Sequence, residues 1–450
     1  MTTIQEVYRR LHPRSARLHQ VAVKTFPSGV THDIRHLTPF PLYVDHAQGS
    51  RKWDVDGNEI VDYVMGHGAL FLGHAYPDIT RAVQEQAAKG THYGASHELE
   101  LEWGGLVKRL IPSAEAVRFT SSGTEATLMA IRLARSYTGR DKLLKFDDHF
   151  HGWHDSVVGT RYGEPETPQS PGVPEATLSD TISVPQNDIA QVESRLAEGD
   201  VAVVILEPTG AHFGGLPLRD GFLAELRDVT ARHNTVLIFD EVVTGFRVAP
   251  GGAQARYGVT PDLTTMAKIL AGGLPGGAVA GKTDVMSLTE FRNDADWNRR
   301  QRVLHPGTFN ANPLSAAAGV TMLSLVATGE FHTRAEAVTE HLVSGMNQAL
   351  TSRSVEGCVY GLASYFHVSL GKECPRPQEN IEWPARNGKA PPRTFPKAAL
   401  ALKQGMLNHG VDLMGYTAGL VSSVHTDEDV DHTLKAFEAT LDEMLAEDIL

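Results

Sequence analysis

Cysteine is nearly absent from this chain of 450 residues, which contains only Cys358 and Cys374. Such scarcity excludes a disulfide scaffold and agrees with a reducing compartment. Long apolar runs are missing as well. None reaches the ~18 residues that a membrane helix needs, and the charged N-terminus lacks the apolar segment of a secretory signal. We therefore expect a cytoplasmic protein that has no membrane as a partner.

Positively charged residues are also fewer than negatively charged ones. Lysine and arginine number 41 against 54 aspartates and glutamates, which gives a formal net charge of −13 at pH 7. Nucleic acids and anionic membranes are bound through basic patches, so this balance argues against nucleic acid as a partner. The chain length favours either two domains or one large α/β domain with an appendage.

The order of strand-like and helix-like segments predicts an α/β fold. From about residue 75 to residue 330, short apolar runs such as VAVVIL and VLIFD alternate with helical patterns. This alternation is typical of a mostly parallel central sheet covered on both faces. We predict a large domain over residues 63–329 and a small α+β domain over residues 330–450. Residues 1–62, with a β-meander that turns at Asp56-Gly57, are expected to complete the small domain.

Two further segments read as loops. His67 lies among glycines in MGHGALFLGHAYP, which indicates either backbone close to a ligand or a plain tight turn. A Pro-rich stretch, residues 373–396, either lines an entrance or lies on the surface.

Two neighbouring strands end on carboxylates. VAVVIL leads to Glu207, and VLIFD ends on Asp240. A buried aspartate is costly unless it meets a cation or a donor. A pyridinium N–H is one such donor, and a paired structural carboxylate is the alternative.

Lys268 follows these strands and is flanked by apolar residues. Desolvation in such surroundings lowers the pKa of the amine and frees it to condense with an aldehyde. A surface lysine at a helix end is the alternative. An acid at a strand end followed by such a lysine is what pyridoxal phosphate chemistry requires.

Two turns before helices are candidate phosphate sites. Ser122, Gly123 and Thr124 follow the strand VRFT and precede a helical pattern, where backbone N–H groups, hydroxyls and the helix dipole converge. An ordinary N-cap explains these residues equally well by themselves. Gly307 and Thr308 precede another helix in the same way.

The histidines of KFDDHFHGWHDS suggest a metal site at first sight. Their spacing matches no zinc signature, so we expect no metal. Phe150, beside the turn at Gly152, is the better candidate for a role, stacked over a planar cofactor. Packed histidines at a strand end are the alternative.

With these motifs assembled, the chain resembles the class III (subgroup II) aminotransferases, whose fold is the fold type I of pyridoxal-phosphate-dependent transferases. Ser-Ser-Gly-Thr-Glu-Ala, Phe-His-Gly, Glu-Pro, Phe-Asp-Glu-Val, Ala-Lys and Gly-Thr-Phe occur in the family's order. The resemblance implies that Lys268 binds pyridoxal 5'-phosphate covalently and moves the proton, and that Asp240 pairs with the pyridine nitrogen. It also implies a homodimer, because Thr308 would bind the phosphate of the neighbouring subunit. The remaining implied cofactor residues are Ser122, Gly123, Thr124, Phe150, His151, Glu207, His212 and Val242.

Within the class, the chain resembles the glutamate-1-semialdehyde aminomutase branch. GVTHDIR aligns with that branch's Gly-Val-Asn-Ser-Pro-Val-Arg, so Arg35 matches its arginine. The chain departs from the branch at Thr417, where the mutase carries a glutamate, and at His212, where it carries asparagine. Stretches such as EPTGAHFGGLP and AGGLPGG are instead similar to those of D-phenylglycine aminotransferase.

The resemblance predicts a transaminase that moves an amino group between an amino acid and a keto acid such as 2-oxoglutarate. The donor is expected to be aromatic and similar to D-phenylglycine, bound by Arg35, His67 and His212. A glutamate-1-semialdehyde 2,1-aminomutase and an aryl β-amino acid aminotransferase are the alternatives.

Overall fold

The structure is a computed structural model that describes residues 2–161, 164–371 and 396–450. These residues form two compact units. The first unit combines residues 2–77, 330–371 and 396–450, so it draws on both ends of the chain. The second unit comprises residues 78–329, without the two undescribed positions. The Pro-rich stretch 373–396 lies outside the described residues, apart from its last position.

The N-terminal part of the first unit contains three helices, two 3-10 turns and three strands. The connection between α2 and β1 contains the two turns. Gly57, with φ 91°, lies in the turn between β2 and β3. The strands pair antiparallel in the order β1-β2-β3, which confirms the predicted meander. The elements are α1 (Ile4–Leu11), α2 (Pro13–Ala22), the turns Pro27–Gly29 and Asp33–Arg35, β1 (Val44–Gln48), β2 (Arg51–Asp54), β3 (Glu59–Asp62) and α3 (Met65–Gly68).

The second unit alternates strands and helices as the sequence predicts. Its helices are α4 (Pro77–Lys89), α5 (Glu98–Leu110), α6 (Gly123–Thr138), α7 (Asp155–Val158), α8 (Glu175–Ser179), α9 (Ile189–Leu196), α10 (Ala211–Gly214), α11 (Phe222–Arg232), α12 (Gly252–Tyr257), α13 (Thr283–Met286) and α14 (Pro313–Val326). Its strands are β4 (Ala116–Thr120), β5 (Lys142–Phe146), β6 (Thr160–Arg161), β7 (Glu164–Pro168), β8 (Thr181–Val184), β9 (Val201–Leu206), β10 (Leu216–Pro217), β11 (Val236–Asp240), β12 (Leu263–Ala267) and β13 (Gly277–Gly281).

Seven of these strands form the central sheet, in the order β4-β13-β12-β11-β9-β5-β8. Strand β13 runs antiparallel to both of its neighbours, and the other pairs are parallel. Successive side chains of β9 enter opposite hydrophobic clusters: Val203 packs in the cluster that contains α6, and Val204 packs in the cluster that contains α11. Both faces of the sheet are therefore covered, and the carboxyl ends of its parallel strands are where a ligand is expected.

The C-terminal part returns to the first unit. Strand β16 adds to β3 in parallel, so both ends of the chain share one sheet, and β14-β15-β17 form a second, antiparallel sheet. No single helix among the described residues is long and apolar enough to cross a membrane; α14 and α15 meet that criterion only when taken together. The elements are α15 (Glu330–Ser352), β14 (Gly357–Leu362), β15 (Tyr365–Leu370), α16 (Pro396–Asn408), β16 (Val411–Asp412), β17 (Ala418–Leu420) and α17 (Asp427–Ala446).

Candidate active site

Lys268 stands at the carboxyl end of β12, as the first residue of a 3-10 turn that ends at Ala271. Its φ of 53° is unusual for a residue other than glycine, and the next three residues are fully buried. Burial lowers the pKa of the Lys268 amine, although the charges of Asp240 and Glu207 act in the opposite direction. A larger fraction of this amine is therefore uncharged and nucleophilic than for an exposed lysine.

Asp240 ends β11, the strand next to β12, and is only 5% exposed. Its Oδ1 accepts hydrogen bonds from the Val242 N–H (3.1 Å) and the Thr265 hydroxyl (3.2 Å). Its Oδ2 lies 2.7 Å from His151 Nδ1. Burial raises the pKa of Asp240 to about 6 despite these contacts. The carboxylate is thus short of positive charge, and a cationic N–H would compensate it.

His151 is buried against Asp240, and burial lowers the pKa of its imidazole to about 3. The ring is therefore neutral near pH 7, with the proton on Nδ1, from which it donates to the carboxylate. Its Nε2 has no partner among the described residues. The Thr127 hydroxyl donates to the His151 carbonyl oxygen over 2.6 Å and fixes the backbone. His151 consequently orients Asp240.

The turn at Ser122 begins α6, and the Ser122 hydroxyl accepts from the Glu125 N–H as an N-cap. Both interpretations of this turn in the sequence are compatible with that bond, because the first N–H groups of a helix have no acceptor within the helix. A side chain at Gly123 would place its Cβ 2.9 Å from Val242 Cγ2. Glycine at this position therefore lets the turn approach the residue that follows β11.

Glu207 has a role that the sequence did not indicate. One carboxylate oxygen accepts from the N–H groups of Phe150 (2.9 Å) and His212 (3.0 Å), and the other accepts from the Phe213 N–H (2.8 Å). The side chain thus joins two separate loops. We describe it as an organiser of these loops, and a direct contact of Glu207 with the cofactor stays a prediction.

The two loops that Glu207 joins present predicted site residues at their surfaces. Phe150 is 63% exposed, and His212 is exposed with a φ of 53°. Gly152, with a φ of 104°, lies so close to Thr124 that a Cβ there would meet its Oγ1 at 2.7 Å. The loop that carries Phe150 therefore contacts the candidate phosphate turn.

Sequence reasoning missed Thr265, which contacts Asp240, and gave His149 no role. His149 accepts the Glu207 N–H at Nδ1 and contacts the Gln186 side chain through Nε2. His149 stands in the run KFDDHFHGWHDS, but the sequence does not show which residues a histidine at a strand end contacts. Thr265 had no signal beyond its place in β12, in register with Asp240.

The remaining predicted residues are distributed between the units. In the first unit, Arg35 and His67 line the same cavity of about 460 Å³. His67 stacks on His32 with ring centroids 4.9 Å apart, and Arg35 donates to the Thr31 hydroxyl over 3.1 Å. Thr308 is exposed in the second unit, in the loop before α14. Contact of these residues with substrate or cofactor stays a prediction.

A family model described as aminotransferase class-III matches residues 34–382. The chain belongs to the class III aminotransferases. Its fold is that of fold type I, and pyridoxal 5'-phosphate is the cofactor.

Similar proteins in the class carry both aminomutase and transaminase names. A glutamate-1-semialdehyde 2,1-aminomutase of Methanothrix thermoacetophila is 38% identical over 95% of this chain and 96% of its own length. An omega-transaminase of Sphaerobacter thermophilus is 33% identical, with a TM-score of 0.87 over 97% of this chain and 99% of that chain. A transaminase solved with PLP bound is 31% identical, with a TM-score of 0.85 over 97% of this chain and 98% of that chain.

The side chains of this class III aminotransferase fit pyridoxal phosphate. The buried carboxylate of Asp240 is short of a cationic partner, which a protonated ring nitrogen supplies. The N-terminus of α6, where backbone N–H groups and the helix dipole converge, suits a phosphate. When bound, the cofactor supplies an aldehyde that condenses with amines and a ring that withdraws electrons from the neighbouring carbon.

Each residue of the site contributes a separate function to that chemistry. Lys268 would offer the amine that binds the aldehyde, and its Nζ would afterwards accept or return a proton. Asp240 would hold a proton on the ring nitrogen, and His151 and Thr265 contact Asp240 and orient it. Val242 lies against Gly123 and brings the strand end and the phosphate turn together.

Proposed function

We propose that this class III aminotransferase transfers an amino group from an amino acid to a keto acid such as 2-oxoglutarate. The observation that carries the proposal is the half-buried Lys268 at the end of β12, beside the strand that ends on Asp240, with an amine whose lowered pKa suits both binding to the cofactor and proton transfer. The omega-transaminase and the transaminase with PLP bound support the same activity. We further propose that the enzyme is a cytoplasmic homodimer whose active sites are shared, with Thr308 serving the neighbouring subunit.

The donor is proposed to be an amino acid with an aromatic or apolar side chain. The wall of the cavity that Arg35 and His67 line contains apolar residues such as Phe26, Ile34 and Tyr43. The charged residues Lys52, Lys403 and Asp412 line it as well. An arginine binds a carboxylate with its planar fork, and an apolar wall suits a ring. His212, exposed on the second unit, is proposed to contact the substrate as well.

Glutamate-1-semialdehyde 2,1-aminomutase is the second candidate. The 38% identity to a curated aminomutase over nearly the whole chain supports it, and it supports this name more directly than it supports an aromatic donor. Thr417 weighs against it, because the mutase branch carries a glutamate there. Thr417 is half-buried beside β17, and its carbonyl oxygen accepts from the Val368 N–H over 2.7 Å.

Two reactions separate the candidates. D- and L-phenylglycine, β-phenylalanine and simple amines are each incubated with 2-oxoglutarate, and glutamate formation is followed. Glutamate-1-semialdehyde is incubated alone with the enzyme, and its isomerisation is followed. We expect glutamate from at least one aromatic donor and negligible isomerisation. Isomerisation faster than every donor reaction would replace the transaminase with the aminomutase, and Lys268→Ala enzyme provides the blank for both.

Arg35 is tested separately from the chemistry. Arg35→Gln is expected to raise KM for the carboxylate donor by about 10-fold or more, because a charge-assisted hydrogen bond is lost. Arg17→Gln, on the exposed part of α2, is the matched control and should leave KM unchanged. An unchanged KM in Arg35→Gln would assign the carboxylate to another group.

A further inference from the structure

Two histidines hold the loop that carries Thr308. The His92 ring contacts the Thr308 carbonyl oxygen through Nε2, and it packs against the Phe309 ring in a T-shaped arrangement at a centroid distance of 5.5 Å. The His97 Nε2 lies 2.8 Å from the Ala311 carbonyl oxygen. Both histidines belong to the segment between α4 and α5, more than 200 residues earlier in the chain.

The backbone determines which ring nitrogen carries the proton. His92 Nδ1 accepts from the Gly94 N–H over 3.1 Å, and His97 Nδ1 accepts from the Glu100 N–H over 3.2 Å as the N-cap of α5. A nitrogen that accepts an N–H bond has no proton of its own, so the proton of each neutral ring lies on Nε2. Both rings therefore donate to the loop.

The loop itself has a backbone that needs such support. Ala311 adopts a φ of 50°, and Asn312 caps α14 by accepting from the Ser315 N–H over 3.0 Å. A Cβ at Gly307 would meet the Asn310 side chain at 2.3 Å. Thr308 and Phe309 are exposed between these constraints. The histidines bind two carbonyl oxygens of this exposed turn, those of Thr308 and Ala311.

We propose that His92 and His97 are positioning residues that fix the Thr308 loop in the form that binds the cofactor phosphate of a neighbouring subunit. The proposal rests on the proposed role of Thr308 in a shared active site. Fixing the loop in advance removes the loss of conformational freedom that a mobile loop would suffer when it meets the phosphate. The two rings thereby increase cofactor affinity without touching the cofactor.

The test separates the Nε2 contacts from the Nδ1 contacts. Asparagine at either position keeps an acceptor that resembles Nδ1, so the turn at Gly94 and the cap of α5 remain, but it lacks the donor that reaches the loop. We expect His92→Asn/His97→Asn enzyme to bind pyridoxal phosphate about 10-fold more weakly, as is typical for the loss of outer partners of a ligand-binding group. The dissociation constant is measured by titrating the apoenzyme and following the absorbance of the lysine-bound cofactor, with thermal unfolding of the apoenzyme as the check on folding.

Two further variants make the result specific. His92→Gln and His97→Gln carry an amide donor that reaches the place of Nε2, and they are expected to recover most of the affinity. His233→Asn, at the end of α11, is the matched control and should bind the cofactor like the wild type. Equal affinity losses in the Asn and Gln variants would overturn the proposal.

Thr308→Ala enzyme distinguishes this inference from the proposed function. If Thr308 binds the phosphate, Thr308→Ala weakens cofactor binding, and the double Asn substitution then costs less than about 3-fold in that background because both act on the same contact. If the combined variant lost cofactor affinity by the product of the two separate fold-losses, the histidines would not act through Thr308. An unaffected Thr308→Ala enzyme would remove the proposed role of Thr308 itself.

Discussion

The buried charges of the first unit differ from those of the second in how they are partnered. In the first unit, Lys52 donates to Asp62 (2.8 Å) and Asp412 (2.5 Å), and Lys403 also donates to Asp412. We call these four residues the lysine cluster. In the candidate active site, the hydrogen-bonding partners of Asp240 among the described residues are all neutral. The carboxylates of the two sites are thus similarly buried, but those of the lysine cluster have cationic partners and Asp240 has neutral ones.

The pKa directions follow this difference. Burial opposes the ionisation of Asp62 and Asp412, but the neighbouring lysines outweigh it and hold the pKa of both carboxyls below the usual range. Burial likewise opposes the charge of Lys52, and its two carboxylates raise its pKa. Lys403 is the exception, since burial lowers its pKa in a cluster that holds a second lysine.

In the candidate active site, burial dominates. It raises the pKa of Asp240 and lowers the pKa of Lys268. The lysine cluster therefore stabilises its charged forms with its own residues, whereas the active site leaves its groups displaced toward neutrality. Shifted pKa values of this kind are a feature of functional sites. They suit a ligand that brings the opposite charge to the buried group.

The largest expected effect comes from Lys268. Lys268→Ala should reduce transamination by about 10⁴-fold or more, because both the covalent attachment and the proton transfer are lost. The free energy of unfolding of the apoenzyme should not fall, since the amine removed is a desolvated one. Steady-state rates and urea unfolding measure the two quantities. Lys282→Ala, a partly exposed lysine paired with Asp262, is the control, and comparable activity losses in both variants would refute the assignment.

The lysine cluster should show the opposite profile. Lys52→Met leaves two buried carboxylates with one lysine and is expected to cost about 3–5 kcal/mol of unfolding free energy. Arg81→Ala, which breaks an exposed pair with Asp78, should cost less than about 1 kcal/mol. Urea titrations followed by circular dichroism test both. A loss in Lys52→Met no larger than in Arg81→Ala would mean that the cluster is not stabilising.

Asp240 and Asp412 should respond to pH with opposite signs. The pKa of Asp240 rises from 3.8 to about 6 on folding, so its ionisation destabilises the apoenzyme as the pH increases through that interval. Asp240→Asn removes this penalty and should stabilise the apoenzyme by up to about 3 kcal/mol at pH 8, with no gain at pH 4. Asparagine suits the site because His151 can then move its proton to Nε2 and accept at Nδ1.

Asp412 has a lowered pKa, so the stability that it contributes is present above its unfolded pKa and is lost as the pH falls. Asp412→Asn should therefore destabilise the apoenzyme at pH 8, and the deficit should shrink toward acid pH. Unfolding free energies of both variants from pH 8 to about pH 2 provide the measurement, because the pKa of Asp412 lies below 3.8 and its deficit shrinks only below that pH. Equal signs at pH 8 would contradict the comparison between the two sites.

Much of the second unit could be predicted from the sequence, because its strands are continuous apolar runs and its helices keep a 3.6-residue period. VLIFD and VAVVIL became the buried strands β11 and β9, and Asp240 stands at a strand end as expected. The strand β12, which ends directly before Lys268, was not predicted. The reversal of β13 was not predicted, since GAVAG carries no signal of its direction.

The partners of polar side chains were the part that sequence reasoning could not supply. Glu207 and Phe150 lie 57 residues apart, and the carboxylate meets the backbone N–H of that residue rather than a side chain. His151 and Asp240 are 89 residues apart. Such contacts depend on which strand ends are adjacent in the sheet, and neither residue type nor spacing encodes that order. The lysine cluster escaped prediction for the same reason, because β16 joins β3 from the opposite end of the chain.

The smallest expected effect comes from two buried glutamates that each accept several hydrogen bonds from backbone N–H groups, Glu207 and Glu241. Glu207→Gln turns one acceptor into a donor that faces an N–H group, and it should cost on the order of 1 kcal/mol of stability. It should also weaken cofactor binding several-fold, since Phe150 and His212 lose their common support. Glu241→Gln is the matched variant: Glu241 is buried and accepts from Thr244, Ala253 and Gln254, so its replacement should lower stability and leave cofactor affinity intact. If both variants reduced cofactor affinity equally, Glu207 would be a packing residue like Glu241, and the distinction between structural and active-site carboxylates would rest on Asp240 alone.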